Sequence, residues 1–135
     1  MSEQDNVQIV QQLYAAFSQG DLAAALETLS EEVEWQEPGP AEILPWAGTF
    51  RGREQVAQLM RRFSTVATVE QFGIQETIAQ GDKVVVVETQ RAYAKASGRP
   101  LRDDAIRVFT LRDGKIVKAS AYEDTALLVA AMRGD

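Results

Sequence analysis

After about Thr65 the hydrophobic period of this chain changes from that of a helix to that of a strand, and it stays there almost to the end. Residues 69–79, 83–96, 101–112 and 115–123 read as four strands, separated by the turn signals "QGD", "SGRP" and "RDG". Asp113-Gly114 is a strong two-residue hairpin signal. Before the switch the pattern is helical. Residues 5–18 carry Val7, Val10, Tyr14 and Phe17 on one stripe with Leu13 beside it, and residues 22–29 follow Asp21 as N-cap. Residues 53–65 place Val56, Leu59, Met60 and Phe63 at i, i+3, i+4 and i+7. A strand at 33–37 and a proline-rich ordered loop at 38–52 lie between the second and third helices, and a short helix at 125–132 closes the chain. Helices first and an antiparallel meander afterwards predict one α+β domain over 1–135: a curved antiparallel sheet forming a cone, with the N-terminal helices packed on its concave face.

Composition limits the chemistry. The 135 residues include no cysteine and no histidine, so thiolate nucleophiles, Ser-His triads and Cys/His metal sites are excluded. No metal-ligand cluster, phosphate loop or dinucleotide fingerprint is present, and no cofactor is expected. Acid–base work falls to Asp, Glu, Tyr or Lys. The net charge of -6 argues against a nucleic-acid partner. The polar, acidic start "MSEQDNVQ" is unlike a signal peptide, and the longest aliphatic run, 84–87, is far too short to span a bilayer. A cytoplasmic protein without a membrane partner is expected. Because 84–87 is apolar on both parities and the helices cover one face, a homodimer built sheet to sheet is also expected.

The stretch "VEWQEPGP" (33–40) alternates so that Val33, Trp35 and Glu37 share a face, placing a carboxylate on an otherwise apolar side at the strand end. Glu37 is then either a solvated strand end or a charge at the mouth of the cone. Trp35, Trp46, Tyr14, Phe17, Phe63 and Tyr122 are the aromatic candidates around the cavity, with Trp46 in "LPWAG" as a lid. Arg91 and Arg107 are the bases placed to pair an inward carboxylate. On the last strand Ile116, Ser120, Tyr122 and Asp124 share a parity that Lys118 interrupts, so a bulge or a wet pocket is expected there. Asp124 also reads as the N-cap of the closing helix.

The order of elements, with "LYAAFSQGDLAAALETLSEEVEWQEPGP", "GTFRGREQVAQLM", "FTLRDGKIV" and "AYEDT", resembles the nuclear transport factor 2-like superfamily. Within it the chain looks most like the SnoaL-like group, which includes polyketide cyclases and ketosteroid isomerase. The resemblance implies a cystatin-like cone. In ketosteroid isomerase the general base is an acidic residue just before a proline, which falls on Glu37 of "QEPGP". That enzyme's protonated aspartate on a late strand falls on Asp104, or on Asp103 if the register slips by one; the shared parity of Ile106 and Val108 favours Asp104 and makes Ile106 a pocket residue. Its helix-one tyrosine falls on Leu13, with Tyr14 one residue off and about 100° around the helix, which argues against steroid isomerisation. The working aspartate of related cyclases and epoxide hydrolases falls on Asp124. The implied mechanism is metal- and cofactor-free: a carboxylate in a partly dry cone moves a proton next to a carbonyl, and Asp104 or Tyr122 donates to the developing oxyanion. The implied function is binding of a small apolar carbonyl compound, as an isomerase or aldol-type cyclase. The alternative is a non-catalytic small-molecule binding or dimerisation module.

Overall fold

The computed structural model describes residues 2–134 and, at 102–103, the backbone but not the side chains. In chain order the elements are α1 (Glu3–Ser18), α2 (Leu22–Glu27), β1 (Leu29–Glu37), β2 (Gly48–Arg51), α3 (Gly52–Val66), β3 (Ala67–Gln80), β4 (Lys83–Ala94), β5 (Pro100–Asp103), β6 (Ile106–Arg112), β7 (Lys115–Tyr122) and α4 (Thr125–Arg133). Local chemistry accounts for the starts of the helices. Ser2 Oγ accepts from the Asp5 N–H while the Asp5 carboxylate accepts from the Ser2 N–H, both at 3.0 Å, which closes a capping box on α1. Asp21 caps α2 by accepting from the Ala24 N–H. The Asp113-Gly114 turn has positive φ at both residues and joins β6 to β7 through the Arg112–Lys115 pair, as a two-residue hairpin requires.

The fold is α+β, with a curved, unclosed sheet ordered β2-β1-β7-β6-β4-β3 and β5 paired to the far end of β4. The sheet is mixed rather than wholly antiparallel, because β1 lies parallel to β7. After β2, α3 carries the chain across to β3 at the opposite edge, and the antiparallel strands then step back until β7 lies against β1. Two other departures are local. Strand β2 is only four residues long, too short to be recognised inside the 38–52 loop, and pairs antiparallel with β1. The expected strand 101–112 is two strands broken at Asp104-Ala105, both paired to β4 on the same side. Bulges interrupt the ladders between Val69 and Gln71, Ile74 and Glu76, and Thr110 and Leu111. They curl the sheet around α1, which packs on β3 and β4, and α3, which packs on β1.

The concave face holds the core, where Trp35, Phe109, Leu13, Val33, Val84 and Val86 are almost wholly buried. Opposite it lies the convex face of the sheet. There Val87, Ile106 and Tyr122 lie side by side across three strands, with Ile106 and Tyr122 exposed. No helix among the described residues is long and apolar enough to cross a membrane.

Immediately after Glu37 the chain leaves the sheet through Pro38 and Gly39. Gly39 has φ +116, and a Cβ there would stand 2.5 Å from Leu44 Cδ1. Leu44 is fully buried, so neither side can yield without disturbing the floor of the loop. Gly39→Ala is expected to cost about 1–3 kcal/mol in urea unfolding, through strain and overpacking together. Gly81→Ala, at φ +59 and with open space around its Cβ position, should cost less.

Candidate functional site

Beneath α1 and α3 the sheet encloses a cavity of ≈ 390 Å³. Its walls are mainly aromatic. Tyr14 stacks on Phe72 with centroids 5.2 Å apart, Phe17 meets Phe72 edge-on, and Trp46 meets Phe63 edge-on at 5.2 Å. Asp21, Arg61 and Ser64, all exposed, also line it and mark its solvent side.

The polar end is a buried cluster drawn from four elements. Glu37 ends β1 on the face set by Val33 and Trp35. Its Oε1 accepts from the Trp35 indole Nε1 at 2.9 Å and from Arg107 Nη1 at 2.6 Å. Arg107 Nε donates to both oxygens of Glu88, at 3.1 and 3.2 Å. Tyr14 Oη donates to Glu88 Oε2 at 2.6 Å. The guanidinium also lies over the Trp35 ring, 5.5 Å from the centroid. Glu88 is wholly buried, sitting where the strand facing β4 breaks, and its N–H donates to the Ala105 carbonyl. Tyr14, Glu37 and Arg107 line the cavity.

Burial disfavours the Arg107 charge, but the fields of Glu37 and then Glu88 more than offset this and hold its pKa well above the ordinary value. Burial first, and the Glu88 charge next, push the Tyr14 phenol far above its usual pKa, so it remains a donor. Among the described residues no three acidic side chains converge as metal ligands.

The candidates named from sequence fall into two groups. Glu37, Tyr14, Phe17, Trp35, Trp46 and Phe63 line the cavity. Trp46 is packed into the wall and buried, not raised as a lid. Asp104, Asp124, Ile106 and Tyr122 do not line it. Asp104 is exposed in the break between β5 and β6. The inward parity of β6 belongs to Arg107 and Phe109, not to Ile106 and Val108, because both faces of that strand carry apolar side chains and parity alone did not choose between them. The slipped register with Asp103 concerns a side chain outside the described residues. Asp124 caps α4, accepting from the Leu127 N–H at 3.3 Å, and is exposed. Tyr122 is on the convex face, because the bulge in the β6–β7 ladder leaves Ala119 and Ala121 buried with Ile116 and turns Lys118 outward.

Tyr14, set aside by the alignment on Leu13, reaches the cluster all the same. The stripe of α1 is wide enough to bury both residues. Glu88 was missed, yet it shares parity with Val84, Val86, Ala92 and Ala94, the same signal that drew attention to Glu37. Arg91 is exposed, and Arg107 is the base that pairs.

The SnoaL-like domain pattern matches residues 10–119. The chain belongs to the SnoaL-like family. Its solved relatives include an NTF2-like protein from Burkholderia xenovorans, 34% identical, with a TM-score of 0.85 and 98% of each chain covered. The structure of TerC, co-crystallised with polyporic acid, is 25% identical with a TM-score of 0.84, covering 96% of this chain and 98% of that one. An uncharacterised protein of Mycobacterium tuberculosis is 25% identical over 90% of this chain and 91% of its own length.

The cluster of this SnoaL-like protein has a pH signature. A phenol whose folded pKa is raised contributes stability that is complete below its unfolded pKa of about 10 and is lost as pH rises above it. Urea unfolding should therefore show a constant stability advantage of wild type over Tyr14→Phe up to about pH 9. The advantage should then shrink by up to ~1.4 kcal/mol per pH unit above pH 10. A difference that stays constant to pH 11 would mean that Tyr14 is not held as a buried donor.

Proposed function

We propose that the cone binds a small, largely apolar carbonyl compound and that Glu37 exchanges a proton at the carbon beside the carbonyl, as in an isomerase or an aldol-type cyclase. One observation carries this reading: Glu37 brings a buried carboxylate to an aromatic cavity, with the guanidinium of Arg107 next to it. The carboxylate takes the proton, and the fixed positive charge stabilises the enolate oxygen that forms. This replaces the donor role expected of Asp104 and Tyr122, which stand away from the cavity. TerC's co-crystallisation with polyporic acid supports a small organic ligand for this fold.

Deuterium wash-in from D₂O, followed by NMR on a panel of enolisable aromatic ketones, reads the proton exchange without knowledge of the product. Glu37→Gln keeps an amide oxygen for Trp35 and Arg107 but removes the base. It should slow wash-in by about 10²–10⁴. Asp124→Asn, a change at a helix cap outside the cavity, should leave the rate unchanged. Equal rates for wild type and Glu37→Gln would remove Glu37 from the chemistry.

A second reading, binding without catalysis, is favoured by a different observation. Two donors, Trp35 Nε1 and Arg107 Nη1, already engage Glu37 Oε1, so a substrate proton must compete with them for that oxygen. Ketones that bind tightly yet show no wash-in with wild type would decide for it.

We also propose that a second copy of the chain covers the convex face. The apolar run of Val87, Ile106 and Tyr122 supports this, and the parity of 84–87 anticipates it. Sedimentation at micromolar concentration should give twice the 14.9 kDa chain mass, and Ile106→Lys should lower it toward one chain. A monomeric wild type would end this part of the proposal.

A further inference from the structure

The hydrogen bonds of the cluster are unevenly filled. Glu37 Oε1 accepts two short bonds, and the Glu88 oxygens are taken by Arg107 Nε and Tyr14. Glu37 Oε2 is different. Its partner among the described residues is Arg107 Nη2 at 3.5 Å, beyond the usual range for an N–H···O bond. An under-used acceptor and an under-used donor thus stand side by side. Both belong to cavity-lining residues whose side chains are only 7% and 13% exposed, so bulk water has little access to them.

Under-used capacity of this kind in a buried wall selects its ligand. A ligand with a carbonyl alone would satisfy Nη2 and leave Oε2 unpaired. A carboxylate would meet Oε2 as like charge. A ligand with a hydroxyl next to a carbonyl fills both: its O–H donates to Oε2 and its C=O accepts from Nη2. We infer that the ligand of this cavity is a flat hydroxy-carbonyl compound, meaning a hydroxy-ketone or the enol of a dicarbonyl. Its polar edge lies on the Glu37 Oε2–Arg107 Nη2 pair and its apolar body lies against Trp46, Phe63 and Phe72. The inference rests on the proposed function, since it names the substrate class of the same cavity.

Flavone and 3-hydroxyflavone differ by one hydroxyl beside the carbonyl, and binding of either is read by quenching of Trp35 and Trp46, both of which line the cavity. With wild type, 3-hydroxyflavone should bind about tenfold or more tightly than flavone, the effect of one hydrogen bond to a charged acceptor. Glu37→Gln puts an amide donor in reach of the place where Oε2 stood. It should bring the two affinities to within about threefold while flavone binding is retained, which also shows that the variant folds. Equal affinities for wild type, or a preference that survives Glu37→Gln, would overturn the inference and leave the cavity reading standing. Failure of both flavones to bind wild type would overturn the two together.

Discussion

Arg107 is the one cation in the interior cluster, and the architecture on the concave side is arranged around it. It bridges Glu37 at the end of β1 and Glu88 in the middle of β4, and through Glu88 it reaches Tyr14 on α1. A guanidinium taken out of water is costly unless its partners come with it, and removing one partner of such a set typically costs about 3–5 kcal/mol. The two carboxylates and the indole ring of Trp35 meet that requirement. Beside the break between β5 and β6, the wholly buried Glu88 shares the inward parity of β4 with Val84, Val86, Gln90, Ala92 and Ala94.

The cluster gives a cavity that is apolar over most of its wall a single polar end. Aromatic surfaces confer affinity without direction, whereas a fixed donor–acceptor edge orients whatever enters. Glu88 does not touch the cavity. It acts by holding Arg107 Nε, which sets the plane of the guanidinium and hence where Nη1 and Nη2 point. Glu37 and Arg107 face the cavity, Glu88 holds Arg107 from behind it, and Tyr14 holds Glu88.

Much of this was legible in the sequence. The switch of period located the helices and most strands to within a few residues, because α1 and α3 are amphipathic and turn signals separate the strands that follow. The parity of Val33 and Trp35 placed Glu37 inward for the same reason. Parity chooses no inward face where a strand is apolar on both. In β6 the outward Ile106 and Val108 look no less like core than the buried Phe109 and Leu111, so Asp104 was chosen and Arg107 was only a candidate partner. The parallel β1–β7 pair and the β2 edge depend on which strands meet in space, and local periodicity does not record that, whereas the bulge in β7 was one of the two readings of Lys118. Glu88 was readable from parity but passed over, since the four valines before it drew attention to the convex face instead.

Those four valines give Glu88 a second significance before the chain has folded. A run such as "KVVVVE" has the high β-propensity and low polarity of a segment that pairs with its own copies when exposed, and chains of mixed topology expose such runs while distant strands find each other. Here the run is closed by Lys83 on one side and Glu88 on the other, charges that repel a stacked, in-register neighbour. In the unfolded chain Glu88 is therefore a gatekeeper against aggregation. Its charge becomes tolerable in the interior only when Arg107, arriving with β6, pairs with it, so protection is surrendered as the hairpin finds its native cover.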